Sequence, residues 1–194
     1  MPGEIGRSLE HLLGYYYVQE IVSMLPVLIL DPKENESVLD LCASPGSKTT
    51  QIASRMNNKG NLVANEPNLD RLRILASNLE RCGVSNVMIT RKDGRDICEN
   101  LKEKKILFDK ILVDAPCSGE GTLRSSPKTA IMWNIKTVKK LPKTQEKLVS
   151  ESIKILKKNG ILIYSTCTHA PEEDEGVVNA ILEKFKDEMV LEQI

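Results

Sequence analysis

No excess of either charge marks this chain. Its 194 residues carry 27 basic and 27 acidic side chains, so the formal net charge is zero. That balance gives no support for a global electrostatic grip on nucleic acid or membrane, and any polyanion has to be held by a local patch. No apolar run is long enough to span a bilayer. Met1-Pro2-Gly3-Glu4 lacks the basic start and apolar stretch of a signal peptide. The five cysteines form no CxxC pair and no cluster with histidine, so neither a disulfide framework nor a zinc site is indicated. A reducing, intracellular setting is the expectation. Internal repeats and low-complexity segments are missing. So are the phosphate-binding patterns GxxxxGK(S/T) and GxGxxG, which removes the P-loop and dinucleotide fingerprints.

What is present is an alternation of short apolar runs with amphipathic stretches. Residues 37–41, 61–65, 86–90, 108–113 and 161–165 read as strands, and 189–194 as the start of a sixth. Residues 47–56, 69–82, 143–156 and 172–185 read as helices, the second with Leu72, Leu75 and Leu79 on one face and Gly83 at its end. Leu12, Leu13, Tyr16, Tyr17, Ile21 and Met24 lie near helical spacing upstream, before an apolar stretch bounded by Pro26 and Pro32. A variable loop is expected from the fourth strand through Trp133. This pattern predicts an α/β fold with a doubly wound, mostly parallel sheet, cut short at its last strands. Residues 1–35 are expected to be a helical lead-in, and 36–194 a single catalytic domain.

Ligands of such sheets gather beyond the carboxyl ends of the strands. The loop Asp40-Leu41-Cys42-Ala43-Ser44-Pro45-Gly46-Ser47-Lys48-Thr49 joins the first strand to the first helix. Its small residues allow close backbone approach to a ligand, and the helix N-terminus favours negative charge. An ordinary tight strand–helix turn is the alternative. Glu66 ends the second strand, roughly 20 residues on, where a carboxylate can accept from ribose hydroxyls. Asp93 follows the third strand and Asp114 the fourth. Any one of these suits a solvated loop, but four in register along one sheet edge suggest a site.

Two cysteines share that edge. Cys117 sits in Asp114-Ala115-Pro116-Cys117-Ser118-Gly119, and Cys167 in Tyr164-Ser165-Thr166-Cys167-Thr168. Two thiols there point to a covalent bond with substrate that is later released. A nucleophilic thiol needs a lowered pKa or an activating neighbour. Cys82 and Cys98 read as buried hydrophobes, and Cys42 as either a cofactor-loop residue or a packing one.

Taken together, the segments 40–49, 114–119 and 165–168 resemble the S-adenosylmethionine-dependent RNA 5-methylcytosine methyltransferases, the RsmB/Nop2/NSUN family. Gly14-Tyr15-Tyr16-Tyr17-Val18-Gln19-Glu20 with Ser23-Met24-Leu25-Pro26 resembles the segment preceding the cofactor loop in that family. Essentially the whole chain is covered. The resemblance implies a Rossmann-like class I methyltransferase with S-adenosylmethionine as cofactor and RNA, tRNA or rRNA, as partner. It implies that Cys42, Ala43, Ser44, Pro45, Gly46, Ser47 and Lys48 wrap the methionine and ribose. Glu66 would bind the ribose hydroxyls, Asp93 the adenine amino edge, and Arg71 would lie near the cofactor. Asp114 would meet the cytosine ring edge, Cys167 would be the nucleophile and Cys117 would help release product. DNA cytosine methyltransferases instead use the Pro-Cys thiol as nucleophile, so the division of roles rests on the resemblance.

That chemistry accounts for the residue types. C5 of cytosine is too electron-poor to take a methyl group until a thiolate adds to C6, and a carboxyl group at the ring stabilises the developing charge. The target base must be splayed out of any helix. Arg124, Lys128, Lys136, Lys139, Lys140 and Lys143 are read as phosphate contacts or as a solvated surface. Trp133 is read as a base-stacking platform or a core anchor, and His169 as a candidate thiol partner. The resemblance also implies an N-terminal RNA-recognition extension and a C-terminal hairpin outside this chain, so substrate selection is expected to need a further module. The setting would be cytoplasmic in a prokaryote, and nuclear or nucleolar in a eukaryote. The competing readings are a same-fold methyltransferase acting on an amino group or DNA cytosine, and a non-catalytic RNA- or cofactor-binding module.

Overall fold

Aliphatic runs too short for helices, each followed by small or polar residues, become five strands: β1 (Ser37–Asp40), β2 (Asn61–Asn65), β3 (Val87–Thr90), β4 (Phe108–Asp114) and β5 (Leu156–Ser165). The structure is a computed structural model that describes residues 5–123, 126 and 128–193, with Lys128 and Met132 described by their backbone alone. The strands form one sheet in the order β3-β2-β1-β4-β5, and every neighbouring pair is parallel. The order reverses between β1 and β4, which opens a crevice at the carboxyl ends of those two strands.

Alternation along the central strands feeds two cores. Leu39, Ile111 and Val113 pack on one face with Ile97, Leu148, Val149, Val177 and Ile181. Val38 and Leu112 pack on the other with Val27, Leu30, Ile52 and Met56. Helices therefore cover both faces. On the first lie α5 (Gly94–Glu103), α7 (Ile135–Ile153) and α8 (Glu175–Lys184). On the second lie α2 (Ile21–Leu30) and α3 (Ser47–Arg55). Helix α4 (Leu69–Arg81) buries Leu75 and Leu79 against Ala43 and Ala64. Each fully buried Leu or Ile contributes about 1.5–3 kcal/mol relative to exposure. The short helices α1 (Leu9–Leu12) and α6 (Lys128–Met132) complete the set among the described residues.

The structure corrects several sequence expectations. The 143–156 helix begins earlier, at Ile135, because Pro142 lies inside α7 rather than before it. It also ends earlier, and 157–160 form a bulge at the start of β5, with Asn159 in the left-handed region. Pro26 lies within α2 instead of bounding it. Helix α5 was not anticipated: its apolar positions are few, and it starts from Asp93, whose carboxylate accepts from the Arg95 N–H. Residues 189–193 form no strand. The expected loop before Trp133 contains a 3₁₀ turn, Glu120–Thr122, and α6.

The lead-in is held to α4 rather than hanging free. Arg81 donates to the carbonyls of His11 and Tyr16 at 2.7 and 3.3 Å, and its guanidinium lies 5.7 Å from the centre of the Tyr17 ring. Gly14 is required at the crossing: its φ is +80°, and a Cβ there would stand 1.7 Å from the Arg81 carbonyl oxygen. Downstream, Gln19 Nε2 donates to the Ser23 carbonyl at 3.0 Å, which carries the chain to the mouth of the crevice.

One buried side chain ties the strand ends together. Asn65 Nδ2 donates to the carbonyls of Leu41 and Lys92 at 3.2 and 3.0 Å. Its Oδ1 accepts from the Lys92 N–H and the Thr90 hydroxyl at 3.1 and 3.0 Å. Asn65 has no exposed surface, so replacing it by leucine leaves several buried backbone groups unpaired. Each such group costs about 1–3 kcal/mol. The expected result for Asn65→Leu is a loss of at least about 2 kcal/mol, seen as a lower urea midpoint at unchanged slope.

Candidate active site

The loop after β1 is fastened at several points. Ala43 N–H donates to the Asn65 carbonyl at 2.9 Å, and Gly46 N–H to the Ala43 carbonyl at 2.8 Å. Asn78 Nδ2 reaches the Pro45 carbonyl at 2.9 Å. Ser44 and Arg71 bond reciprocally: the serine hydroxyl donates to the Arg71 carbonyl at 2.9 Å, and the guanidinium donates to the Ser44 carbonyl at 2.8 Å. Gly46 caps α3 at φ +107°, a conformation L side chains rarely adopt, and a Cβ would lie 3.1 Å from Leu75 Cδ1. Ser47 and Lys48 form the first turn of α3.

Glu66 is almost fully buried at the end of β2. Its Oε1 accepts from the Asn68 N–H at 2.9 Å, and its Oε2 lies 3.4 Å from Arg71 Nε. Arg71 thus links Glu66 to the 42–48 loop. Each carboxylate oxygen keeps a lone pair for a further donor, such as a diol hydroxyl. Asp93 is nearly half exposed and pairs with Arg95 at 2.8 Å, whose hydrogen bonds hold its carboxyl below the ordinary value.

The thiol side is assembled by the pairing of β4 with β5, in which Asp114 stands opposite Ser165. Ser165 Oγ donates to Asp114 Oδ1 at 2.7 Å, and Lys48 Nζ donates to Asp114 Oδ2 at 2.7 Å. Lys48 also reaches Ser23 Oγ at 3.1 Å. Beyond the strands, Cys117 Sγ lies 2.9 Å from Cys167 Sγ and accepts from the Cys167 N–H at 3.2 Å. Both thiols are free; Cys117 is half-buried and Cys167 exposed. The two loops meet again through the hydroxyls of Ser118 and Thr168, 2.7 Å apart.

The environments of the thiols differ. The hydrogen bond from Cys117 brings Cys167 down to about 7 from an ordinary 9, against burial and the Asp114 charge, and with help from Lys48. Cys117 is pushed up, first by holding its proton toward Cys167 and then by burial. Cys42 is pushed up by burial and by the carboxylates of Asp40, Asp114 and Glu66, which leaves it a neutral packing thiol. Burial also raises Cys98, to about 12, and Cys82. Only Cys167 is therefore poised as a nucleophile among the five.

Deep beneath the loop, Asp40 accepts from the Thr49 hydroxyl at 2.7 Å, while its Oδ1 is buried with no hydrogen-bond partner among the described residues. Burial pushes its carboxyl up to about 7, with Asp114 adding to the rise and Thr49 and Lys48 opposing it. An unmet buried acceptor, a cradle that only glycine permits and a buried carboxylate with free lone pairs are features that a cationic, ribose-bearing cofactor would satisfy.

The sequence model of the family described as "16S rRNA methyltransferase RsmB/F" matches residues 27–194. This chain belongs to the RsmB/F methyltransferase family. A ribosomal RNA small subunit methyltransferase F of Aeromonas salmonicida (strain A449) is 44% identical over 98% of this chain, and covers 40% of its own length in doing so. The namesake from Aliivibrio fischeri (strain ATCC 700601 / ES114) is 43% identical over the same share of each chain. The chain thus spans about 40% of the length of these relatives. The solved structure of NSun6 from Pyrococcus horikoshii with SFG, an S-adenosylmethionine analogue, superposes with a TM-score of 0.82 at 35% identity, covering 92% of this chain and 45% of that one. A methyltransferase homologue from the same organism gives 0.81 at 39% identity, covering 93% and 55%. The fold is the Rossmann-like fold of S-adenosylmethionine-dependent methyltransferases, and S-adenosylmethionine is the cofactor of the RsmB/F family.

Within this RsmB/F fold the strand-end residues singled out from the sequence converge on one sheet edge, and Lys48–Asp114 joins the 42–48 loop to the thiol side. Several residues at the site were not anticipated. Ser23 and Ser165 hold Lys48 and Asp114, and Asn65, Gln145 and Glu173 are buried polar residues whose role depends on contacts distant in sequence. His169 is exposed and makes no bond with Cys167 among the described residues. It lines an open cavity of about 420 Å³ with Trp133, whose indole N–H donates to Glu120 at 2.6 Å. Lys136, Lys139, Lys140 and Lys143 are exposed on or near the first turns of α7, while Arg124 lies outside the described residues, as does the Lys128 side chain. A cavity of about 680 Å³ lies along β5 between α2 and α8, with aliphatic walls that include Val22, Leu25, Ile163 and Ile181.

Two measurements follow from these environments. Asp40 has a folded value raised from 3.8 to about 7, so its stabilising contribution is complete below the unfolded value and is lost as pH rises through about 7. Relative to Asp40→Asn, the wild-type chain should lose stability over that window, by at most about 4 kcal/mol at about 1.4 kcal/mol per unit. Denaturation of both proteins across pH checks this, and parallel profiles would refute it. Alkylation of Cys167 by iodoacetamide should reach half its maximum rate near pH 7 in the wild type. In Cys117→Ala the midpoint should move up toward the ordinary thiol value, because the donor that stabilises the thiolate is gone. Peptide mass mapping identifies the site.

Proposed function

We propose that this chain is the catalytic domain of an RNA cytosine-5 methyltransferase, acting on small-subunit rRNA through a covalent bond between Cys167 and C6 of the target base. The observation that carries the reading is the pair of thiols in contact at the strand ends, one half-buried and raised, the other exposed and lowered to about 7.

In this mechanism the Cys167 thiolate adds to C6, forming a C–S bond as the C5=C6 π electrons move into the ring. Asp114 would stabilise the charge developing on the ring by sharing a proton with the ring nitrogen. Lys48 and Ser165 hold the Asp114 carboxyl group in place. Bound S-adenosylmethionine supplies an electrophilic methyl group to C5. Ala43, Ser44 and Pro45 would line its methionine, with Gly46 and Ser47 at the helix end, and Glu66 and Asp93 would bind ribose and adenine. Cys42 would pack behind them, and Arg71 would fix Glu66 against the loop. In the last step the Cys117 thiolate would take the C5 proton as base, the C5–H electrons re-form the C5=C6 bond, the C–S bond breaks and the Cys167 thiolate returns.

The exposed lysines of α7 would contact phosphates near the target. Zero net charge supports a further RNA-recognition segment in the working enzyme, one that selects between rRNA and tRNA. Residues 1–35 would serve as the lead-in to the catalytic domain, and the bacterial source of the relatives supports a cytoplasmic setting.

The test is nucleoside analysis of a small-subunit rRNA transcript after incubation with protein and S-adenosylmethionine. The expected product is 5-methylcytosine, and its absence in favour of an N-methylated nucleoside sinks the reading. Cys117→Ala should accumulate a protein–RNA adduct on denaturing gels and Cys167→Ala should form none. The reverse pattern would exchange the two roles.

A further inference from the structure

Two fully buried polar side chains have no part in the chemistry above, yet both reach the backbone around Cys117. Gln145, on α7, donates from Nε2 to the Pro116 carbonyl at 2.9 Å and to Glu173 Oε2 at 2.8 Å. Glu173, just before α8, accepts from the Ser118 N–H at 3.1 Å through Oε2 and at 3.3 Å through Oε1. Pro116 and Ser118 flank Cys117. One amide and one carboxylate thus grip the peptide groups on either side of the thiol. Neither side chain has exposed surface. Burying a carboxylate is costly unless it is well bonded, so a site that keeps one has a use for its acceptor-only chemistry. Among the described residues every hydrogen bond to the carboxylate comes from an N–H, and a second amide at position 173 would turn an NH₂ group toward one of those donors.

The same corner also reaches the other thiol. The Glu173 carbonyl accepts from the Tyr164 hydroxyl at 2.5 Å, and Asp174 Oδ1 accepts from the Thr166 hydroxyl at 2.6 Å. Cys167 itself is held chiefly by backbone bonds. Ala115 N–H bonds to the Ser165 carbonyl and Gly121 N–H to the Cys167 carbonyl, both at 2.9 Å, and Ser165 is the last residue of the β5 ladder. These bonds join the Cys117 loop to the Cys167 loop, and Asp114 opposite Ser165 anchors both; what sets Cys117 apart is that buried side chains grip the peptide groups on both sides of it.

We infer that Glu173 and Gln145 form a positioning pair for Cys117, setting its thiol for the release step while leaving Cys167 able to attack. The inference rests on the roles given to the two thiols under the proposed function. A misplacement of about 1 Å at a reacting group can cost about 100-fold in rate. Loosening this clamp therefore acts on the step Cys117 serves.

The test uses the whole chain with S-adenosylmethionine and a small-subunit rRNA transcript, at about pH 8.5, where an ordinary thiol is substantially ionised. Glu173→Gln is nearly isosteric, and Gln145→Met removes the donor at similar volume, so that one variant stands should the other fail to fold. The expected result is a KM for RNA within about 2-fold of wild type, kcat lowered by about 10-fold or more, and a covalent protein–RNA adduct accumulating on denaturing gels. Cys117→Ala is the control. If it accumulates adduct while the folded clamp variants lose turnover without adduct, or keep wild-type turnover, the positioning role is overturned and the thiol roles stand. If Cys117→Ala itself gives no adduct, the thiol roles fail, and the inference fails with them.

Discussion

Everything at the site depends on the parallel pairing of β4 with β5. With Asp114 opposite Ser165, the two loops that follow leave the sheet side by side. The thiols three and two residues further on then arrive 2.9 Å apart. A slip of one residue in this ladder would turn every alternate side chain to the other face, and would separate the thiols by a strand step. The ladder is fixed by burial on both faces, with Ile111 and Val113 toward α5, α7 and α8, and Leu112 toward α2 and α3. The apolar pattern that stabilises the sheet is also what sets the spacing of the reactive groups.

Lys48 is the electrostatic hinge between the two halves. It pairs with Asp114 at 2.7 Å, lowers the Cys167 thiol and opposes the rise of Asp40. One cation thus stands among Asp40, Asp114 and Cys167, and a second negative charge deep in the crevice is suppressed by burial of Asp40 rather than by pairing. Such an arrangement leaves the crevice short of positive charge when all groups are ionised. A cationic ligand entering beside Asp40 would relieve that shortage. Catalytic sites commonly hold strongly perturbed groups of this sort at a strand end.

Sequence and structure agree where the signal is local. The five strands and the helices after β1 and β2 were legible as aliphatic runs and amphipathic periods, and the strand-end residues 42–48, 66, 93, 114, 117 and 167 followed from them. What was not legible depended on partners far along the chain. Helix α5 carries too few apolar residues to stand out, and its start is set by a cap at Asp93. Pro142 reads as a helix boundary, yet α7 runs through it, because Val138 on one side and Gln145, Leu148 and Val149 on the other are all buried. Glu173 sits in the acidic run Pro171-Glu172-Glu173-Asp174-Glu175, which reads as a solvated helix start. Only the tertiary placement of Ser118 and Gln145 shows that one of those carboxylates is buried.

The unequal thiols also bear on the order of events. Interacting sites share their titration, so the state of one sulfur governs the other. While Cys167 is a free thiolate, it is the main reason that Cys117 holds its proton. Once Cys167 is bonded to carbon, in the proposed mechanism, it is no longer a charged acceptor. The largest cause of the raised Cys117 pKa is then gone, leaving burial opposed by the backbone N–H groups of Cys167 and Gly119, and the Cys117 proton becomes easier to lose. Cys117 would therefore become available as a thiolate only after the covalent bond has formed, which is the stage at which a base is needed to help break it. In the proposed mechanism, a pair of thiols in contact would thus supply a nucleophile first and a releasing group second.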